Sequence, residues 1–122
     1  MGCRSNTKPF LQDAWRMVNS TQEMIFINDS VMHWVLFDDG IVPDTIFTHY
    51  KTDETRSPYY IDLYAFDRGI LKGRILTGIY SKIGNDSLLM DFRPIDSWNE
   101  ADSVRPKVFD ELQKRYFVRK HP

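Results

Sequence analysis

Short apolar runs alternate with turn-forming residues along almost the whole chain. Their spacing has the two-residue period of a half-buried strand rather than the period of a helix. Within residues 11–19, Leu11, Trp15 and Met17 share one parity, and Gln12 and Arg16 the other. Residues 24–27 are apolar on both faces, Asn28-Asp29-Ser30 marks a turn, and residues 31–37 form a second apolar run. Together they predict a hairpin, because Asn, Asp and Ser favour tight turns. Asp38-Asp39-Gly40 makes the next turn, and residues 45–51 are rich in β-branched and aromatic side chains. After a polar loop over 53–58, residues 59–66 alternate again, with Ile61, Leu63 and Ala65 opposite Tyr60, Asp62 and Tyr64. Asp67-Arg68-Gly69 turns the chain and Gly73 closes the connection. Residues 74–81 and 87–93 then pair across Gly84-Asn85-Asp86, a further hairpin signal.

Residues 94–105 break the alternation. They predict either a short helix capped by Asp96 or Ser97, or a loop that packs Trp98 onto the rest. A short strand over 107–110 and a last strand over 115–120 follow. Eight or nine short strands without a long amphipathic helix indicate a closed antiparallel barrel or a sandwich. Closure is favoured because it leaves no unpaired edge. The expectation is an all-β protein: a small antiparallel barrel of about eight strands, with room for one short helix. A chain of 122 residues fits one such domain over 10–122, behind a polar, flexible lead-in at 1–9 that ends in Pro9.

A set of local motifs carries a family resemblance. Ile61-Asp62-Leu63, Asp67-Arg68-Gly69, Lys72-Gly73, Gly78-Ile79-Tyr80, Gly84-Asn85-Asp86-Ser87-Leu88 and Phe92-Arg93-Pro94 occur in order, and Arg105-Pro106-Lys107-Val108-Phe109 follows. Upstream stand Leu11-Gln12-Asp13-Ala14-Trp15 and Tyr50-Lys51. Over most of residues 10–120 the chain resembles an uncharacterised lipocalin-like domain family of bacteria, abundant in planctomycetes. Asp13 replaces the family's glycine before the tryptophan, and residues 94–104 are longer than its pattern. The resemblance implies a lipocalin-like, calycin-type barrel and supplies no activity. It also implies a structural closure, in which Trp15 of the first strand packs under a basic residue of the last, Arg119 first and Lys120 second.

Charge narrows the partners. Sixteen Lys and Arg against seventeen Asp and Glu give a net charge of -1, without the basic footprint that nucleic-acid binding needs. The densest basic stretch, Lys114, Arg115, Arg119 and Lys120, reads as the solvated flank of the last strand. One cysteine, Cys3, allows no disulfide within the chain and no thiolate zinc site. No apolar run approaches the roughly 18 residues of a membrane helix. Met1-Gly2-Cys3-Arg4-Ser5-Asn6 looks like the mature end of a bacterial lipoprotein whose signal has been trimmed. That reading places the protein in the cell envelope with a lipid anchor at Cys3; the alternative is an ordinary cytoplasmic N-terminus. The sequons at Asn19, Asn28 and Asn85 read as turn chemistry.

No constellation of catalytic residues stands out. His33 and His49 fall on neighbouring predicted strands and His121 near the end, without an obvious third metal ligand. Glycines at 73 and 78 have phosphate-loop spacing, but Ile79-Tyr80 follow where Lys-Ser or Lys-Thr is required. The acids at 38–39 and 53–54 sit in turns, where carboxylates stay solvated. Neither an enzyme, a cofactor nor a metal is expected. Tyr59, Tyr60, Tyr64, Tyr80, Trp34 and Phe47 are the best material for a ligand site, since a small barrel either holds one ligand or is filled by its own side chains. In a hollow barrel the polar points would be His49, Tyr64, Tyr80 and Arg93, although parity alone does not say which face is inward. The expected function is non-enzymatic binding of a small apolar or amphipathic ligand, probed by a small lipophile. The alternative is a cell-envelope protein–protein module with a filled barrel and Trp98 as its exposed anchor.

Overall fold

The structure, a computed structural model, describes residues 9–38 and 42–120. Cys3, His121 and the turn at Asp39-Gly40 lie outside the described residues. Eight strands follow one another around a closed barrel: β1 (Ala14–Met17), β2 (Gln22–Phe26), β3 (Val31–Asp38), β4 (Val42–Asp53), β5 (Tyr59–Tyr64), β6 (Ile75–Ile83), β7 (Ser87–Ile95) and β8 (Arg115–Arg119). Every neighbouring pair is antiparallel, and β8 closes the ring on β1, with Trp15 opposite Arg119 and Met17 opposite Phe117. The fold is thus the small antiparallel barrel of about eight strands that was expected, with one short helix, α1 (Ala101–Val104).

The turns form where side chains can replace missing ladder bonds. Asn28 Oδ1 accepts from the amides of Ser30 and Val31, both at 2.9 Å, and so reverses the chain between β2 and β3. Gly84 supplies a left-handed residue (φ +67°) between β6 and β7, where a Cβ would be strained. Before α1, Glu100 Oε1 accepts from the amides of Asp96 and Ser97 at 3.0 and 3.1 Å.

Strand boundaries differ from expectation where local chemistry intervenes. The first strand begins at Ala14 rather than residue 11, because the chain makes a tight turn at Leu11, whose carbonyl accepts from Trp15 Nε1 at 3.1 Å. β5 ends at Tyr64 because Ala65 adopts a positive φ of 57°. The short strand expected over 107–110 is absent. There Asp110 Oδ1 caps a turn by accepting from the amides of Leu112 and Gln113.

Alternation sorts the side chains into two layers. Trp15, Met24, Phe26, Met32, Tyr50, Ile61, Leu63, Tyr80, Leu88, Met90 and Phe117 point inward and form the main core. On the outside of β6 and β7, Ile75 and Ile95 pack with Ala101 of α1 and with Tyr64. A buried ion pair fastens this covering segment. Arg105 Nη1 lies 2.9 Å from Asp62 Oδ1 and donates to the carbonyl of Gly78 at 2.9 Å. Thr77 Oγ1 donates to the same carboxylate at 2.6 Å. Gly78 is required by packing: a Cβ there would stand 2.4 Å from the Asp91 carbonyl and 2.6 Å from the Phe92 ring.

Candidate functional site

The two mouths of the barrel are built differently. At the mouth bounded by the β2–β3, β4–β5 and β6–β7 turns, Trp15 is fully buried and the Arg119 guanidinium lies 4.4 Å above its ring. Arg119 also donates to Asp13 Oδ2 at 2.6 Å, to Asp86 Oδ1 at 3.2 Å and to the carbonyl of Asn85 at 2.7 Å. Asp13 therefore anchors the arginine, and its other oxygen caps the amide of Ala14 at 2.9 Å. Nearby, the Tyr50 hydroxyl donates to the carbonyl of Asn28 at 2.5 Å, and the Tyr80 hydroxyl donates to Glu54. Burial, helped by Asp29, pushes the Tyr50 phenol up to about 12. Burial first, then the bond to Glu54, raises that of Tyr80 well above the ordinary tyrosine range. This end is shut.

At the opposite mouth, Phe66 and Leu71 of the β5–β6 connection fold in against the core. Beside them a cup of about 250 Å³ remains, lined by Met17, Met24, Trp34, Leu76, Met90, Phe92 and Phe117, with Gln22, Gln113 and Arg115 as its polar groups. Six strands contribute through their inward parity: Met17 from β1, Gln22 and Met24 from β2, Trp34 from β3, Leu76 from β6, Met90 and Phe92 from β7, and Arg115 and Phe117 from β8. Trp34 is held in place by its indole, whose Nε1 donates to Gln22 Oε1 at 2.9 Å. A groove of about 470 Å³ adjoins the cup between the β1–β2 turn and the start of β8. The two share Met17, Gln22 and Arg115.

The four polar points expected for a hollow barrel do not converge. Tyr80 is inward but fully buried at the shut end. His49 and Tyr64 are register partners on the outer face, with ring centroids 5.8 Å apart. Arg93 is also outside, paired with the buried Asp91. His33 stands opposite Phe47 on the ladder rather than opposite His49. No group of three metal-ligating side chains occurs among the described residues, and no helix there is long and apolar enough to cross a membrane. Trp98 is 43% exposed on the outer wall, with the Lys51 ammonium 4.1 Å from its ring centre and Tyr64 beside it.

Sequence reasoning missed most of the cup, although a signal for it was present. Once Trp15 is placed inside and paired with Arg119, alternation puts Met17, Phe117 and Arg115 inside too. Comparison with known proteins finds no matching family model, no matching curated protein and no matching solved structure. The class of protein rests on its own geometry: a closed eight-stranded antiparallel barrel, shut at one mouth and cupped at the other.

Proposed function

We propose that this protein is a non-enzymatic binding barrel that takes a small apolar or amphipathic ligand at its open mouth. The observation that carries the reading is the cup of about 250 Å³, whose walls are methionine, leucine and aromatic side chains and whose rim is polar. Ligand sites have this composition, with apolar walls for affinity and few polar groups for orientation. Three methionines among the lining residues suit a site that adapts to its occupant, because their side chains are unbranched and flexible. The volume lies just below the roughly 300–1,000 Å³ of drug-sized sites, which points to a small ligand.

A thermal-shift screen with short-chain alcohols, acids and amines tests this. A ligand at a hundred times its Kd stabilises by about 2.7 kcal/mol, enough to raise Tm by several degrees. No upward shift with any of these classes overturns the reading.

A second reading is favoured by Trp98. Its half-exposed ring, with Tyr64 and His49 alongside, forms an aromatic strip on the outer wall of the kind that anchors protein partners. Cross-linking in cells that express the protein, with Trp98→Ala alongside, separates the two. An adduct lost in the variant supports a partner surface, and an unchanged pattern counts against it.

A further inference from the structure

The cup holds one charged side chain. Arg115 stands at its rim, where the cup opens into the adjoining groove. The guanidinium donates to the backbone carbonyls of Leu112 and Lys114, at 3.1 and 2.9 Å. No carboxylate pairs with it among the described residues. Arg93, Arg105 and Arg119, by contrast, each have an acidic partner within hydrogen-bond reach, and Arg16, which has none among the described residues, stands on the outer face of β1 away from the cup. An arginine held by carbonyls keeps its full charge, and its remaining N–H groups can meet an anion in two parallel bonds. Gln22 and Gln113 add neutral polar groups to the same rim.

Resting on the reading of the mouth as a ligand site, we propose that its ligand is a small anionic amphiphile whose head group Arg115 binds while its chain fills the cup. The size of the chain follows from the cup. At about 30 Å³ per water-sized unit, 250 Å³ holds roughly eight carbons. The chain lies against Met17, Met24 and Met90, and the head group faces the groove. Lys114 lines that groove as well, but its ammonium is engaged by Glu111 at 2.7 Å, which leaves the anion to Arg115.

The test uses the full chain, labelled at its methionine methyl groups, and three probes of matched length: octanoate, octanol and octylammonium. Octanoate is expected to shift the methyl signals of Met17, Met24 and Met90 while sparing Met32, which lies in the core away from the cup. It should bind roughly five- to tenfold tighter than octanol, the advantage of a charge-assisted bond at a half-wet rim. Octylammonium should bind weakest. Arg115→Gln should bring octanoate down to the level of octanol and leave octanol unchanged, and Arg115→Lys should restore part of the difference. If octanol binds as well as octanoate, or if Arg115→Gln leaves octanoate unaffected, the anionic head group is refuted and the cup survives as an apolar site. If none of the three moves these methyl signals, the ligand site itself falls, and the head-group assignment with it.

Discussion

Arg119 and Arg115 stand on the same inward side of β8, at opposite mouths of the barrel. Arg119 is enclosed: it covers the Trp15 ring, bonds Asp13 and Asp86, and takes the Asn85 carbonyl as well. Among the described residues, Arg115 donates only to carbonyls of its own neighbourhood, and it lines an apolar cup. Four residues of one strand thus separate a cation whose bonding is completed by the fold from one that leaves donors over. The same division runs through the aromatics. Trp15 is fully buried under its arginine, whereas Trp34 is only partly buried and lines the cup. Groups at the shut mouth satisfy one another and hold the barrel closed. Groups at the open mouth leave apolar surface lining a cup.

The largest expected effect comes from cutting the two tryptophans. Trp15→Ala should cost about 3–5 kcal/mol, because it removes a fully buried ring and uncovers the arginine stacked on it. Trp34→Ala should cost only about 1–2 kcal/mol, since part of its surface is already wet and the space it leaves opens into an existing cup. Urea denaturation of both variants checks the ranking. Equal losses would mean that the two mouths carry the same structural weight.

Alkaline pH should act on the buried phenols of the shut mouth. The Tyr50 phenol is held up to about 12 by burial, against about 10 in an unfolded chain. The fold therefore favours the neutral phenol. Its contribution is complete below pH 10 and is lost as the pH rises from 10 to 12, a decline of about 2–3 kcal/mol. Tyr80, also raised, adds to the fall in the same direction. Tyr50→Phe cannot ionise, so its stability should fall less steeply over that window when followed by urea titration at each pH. A slope identical to that of the unmodified protein would show that the phenol is as exposed to ionisation folded as unfolded.

The barrel was legible in the sequence because several of its strands alternate and its turns carry Asn, Asp, Ser and Gly. The pairing of Trp15 with Arg119, which came from the family resemblance, is present in the structure. The candidate ligand residues were not legible in the same way. Tyr64 and Arg93 are polar side chains on strands whose outward faces are covered in part, since α1 and the following segment shield β5 to β7, whereas His49 on β4 is exposed. Burial outside the barrel therefore mimics burial inside it. β6 shows the difficulty most plainly, since Ile75 through Tyr80 are buried on both faces and period-two reasoning has nothing to grip there. The cup escaped notice for another reason. Its walls are ordinary core residue types, and alternation alone does not mark them off from the filled end of the barrel.

The closure itself can be weakened without emptying the core. Arg119→Met keeps an apolar stem over Trp15 but removes the bonds to Asp13 and Asp86. It removes the charge-assisted bond to the partly buried Asp13, so a loss of about 2 kcal/mol is expected. Octanoate affinity should be unchanged, because the substitution lies at the far mouth. A loss of affinity matching the loss of stability would mean that the two ends communicate through β8.

The smallest effect on stability should come from the other arginine. Arg115 is exposed, has no acidic partner among the described residues, and contacts carbonyls that water can serve equally well. Arg115→Gln should therefore change the free energy of unfolding by no more than about 0.5 kcal/mol, the range of ordinary surface substitutions. It keeps an amide donor near the Leu112 carbonyl and removes only the charge. The comparison turns on this variant together with Arg119→Met: one arginine should matter to stability and not to octanoate, the other to octanoate and not to stability. If Arg115→Gln instead destabilised the barrel as much as Arg119→Met, the open mouth would be a second closure, and its arginine would belong to the fold rather than to a ligand.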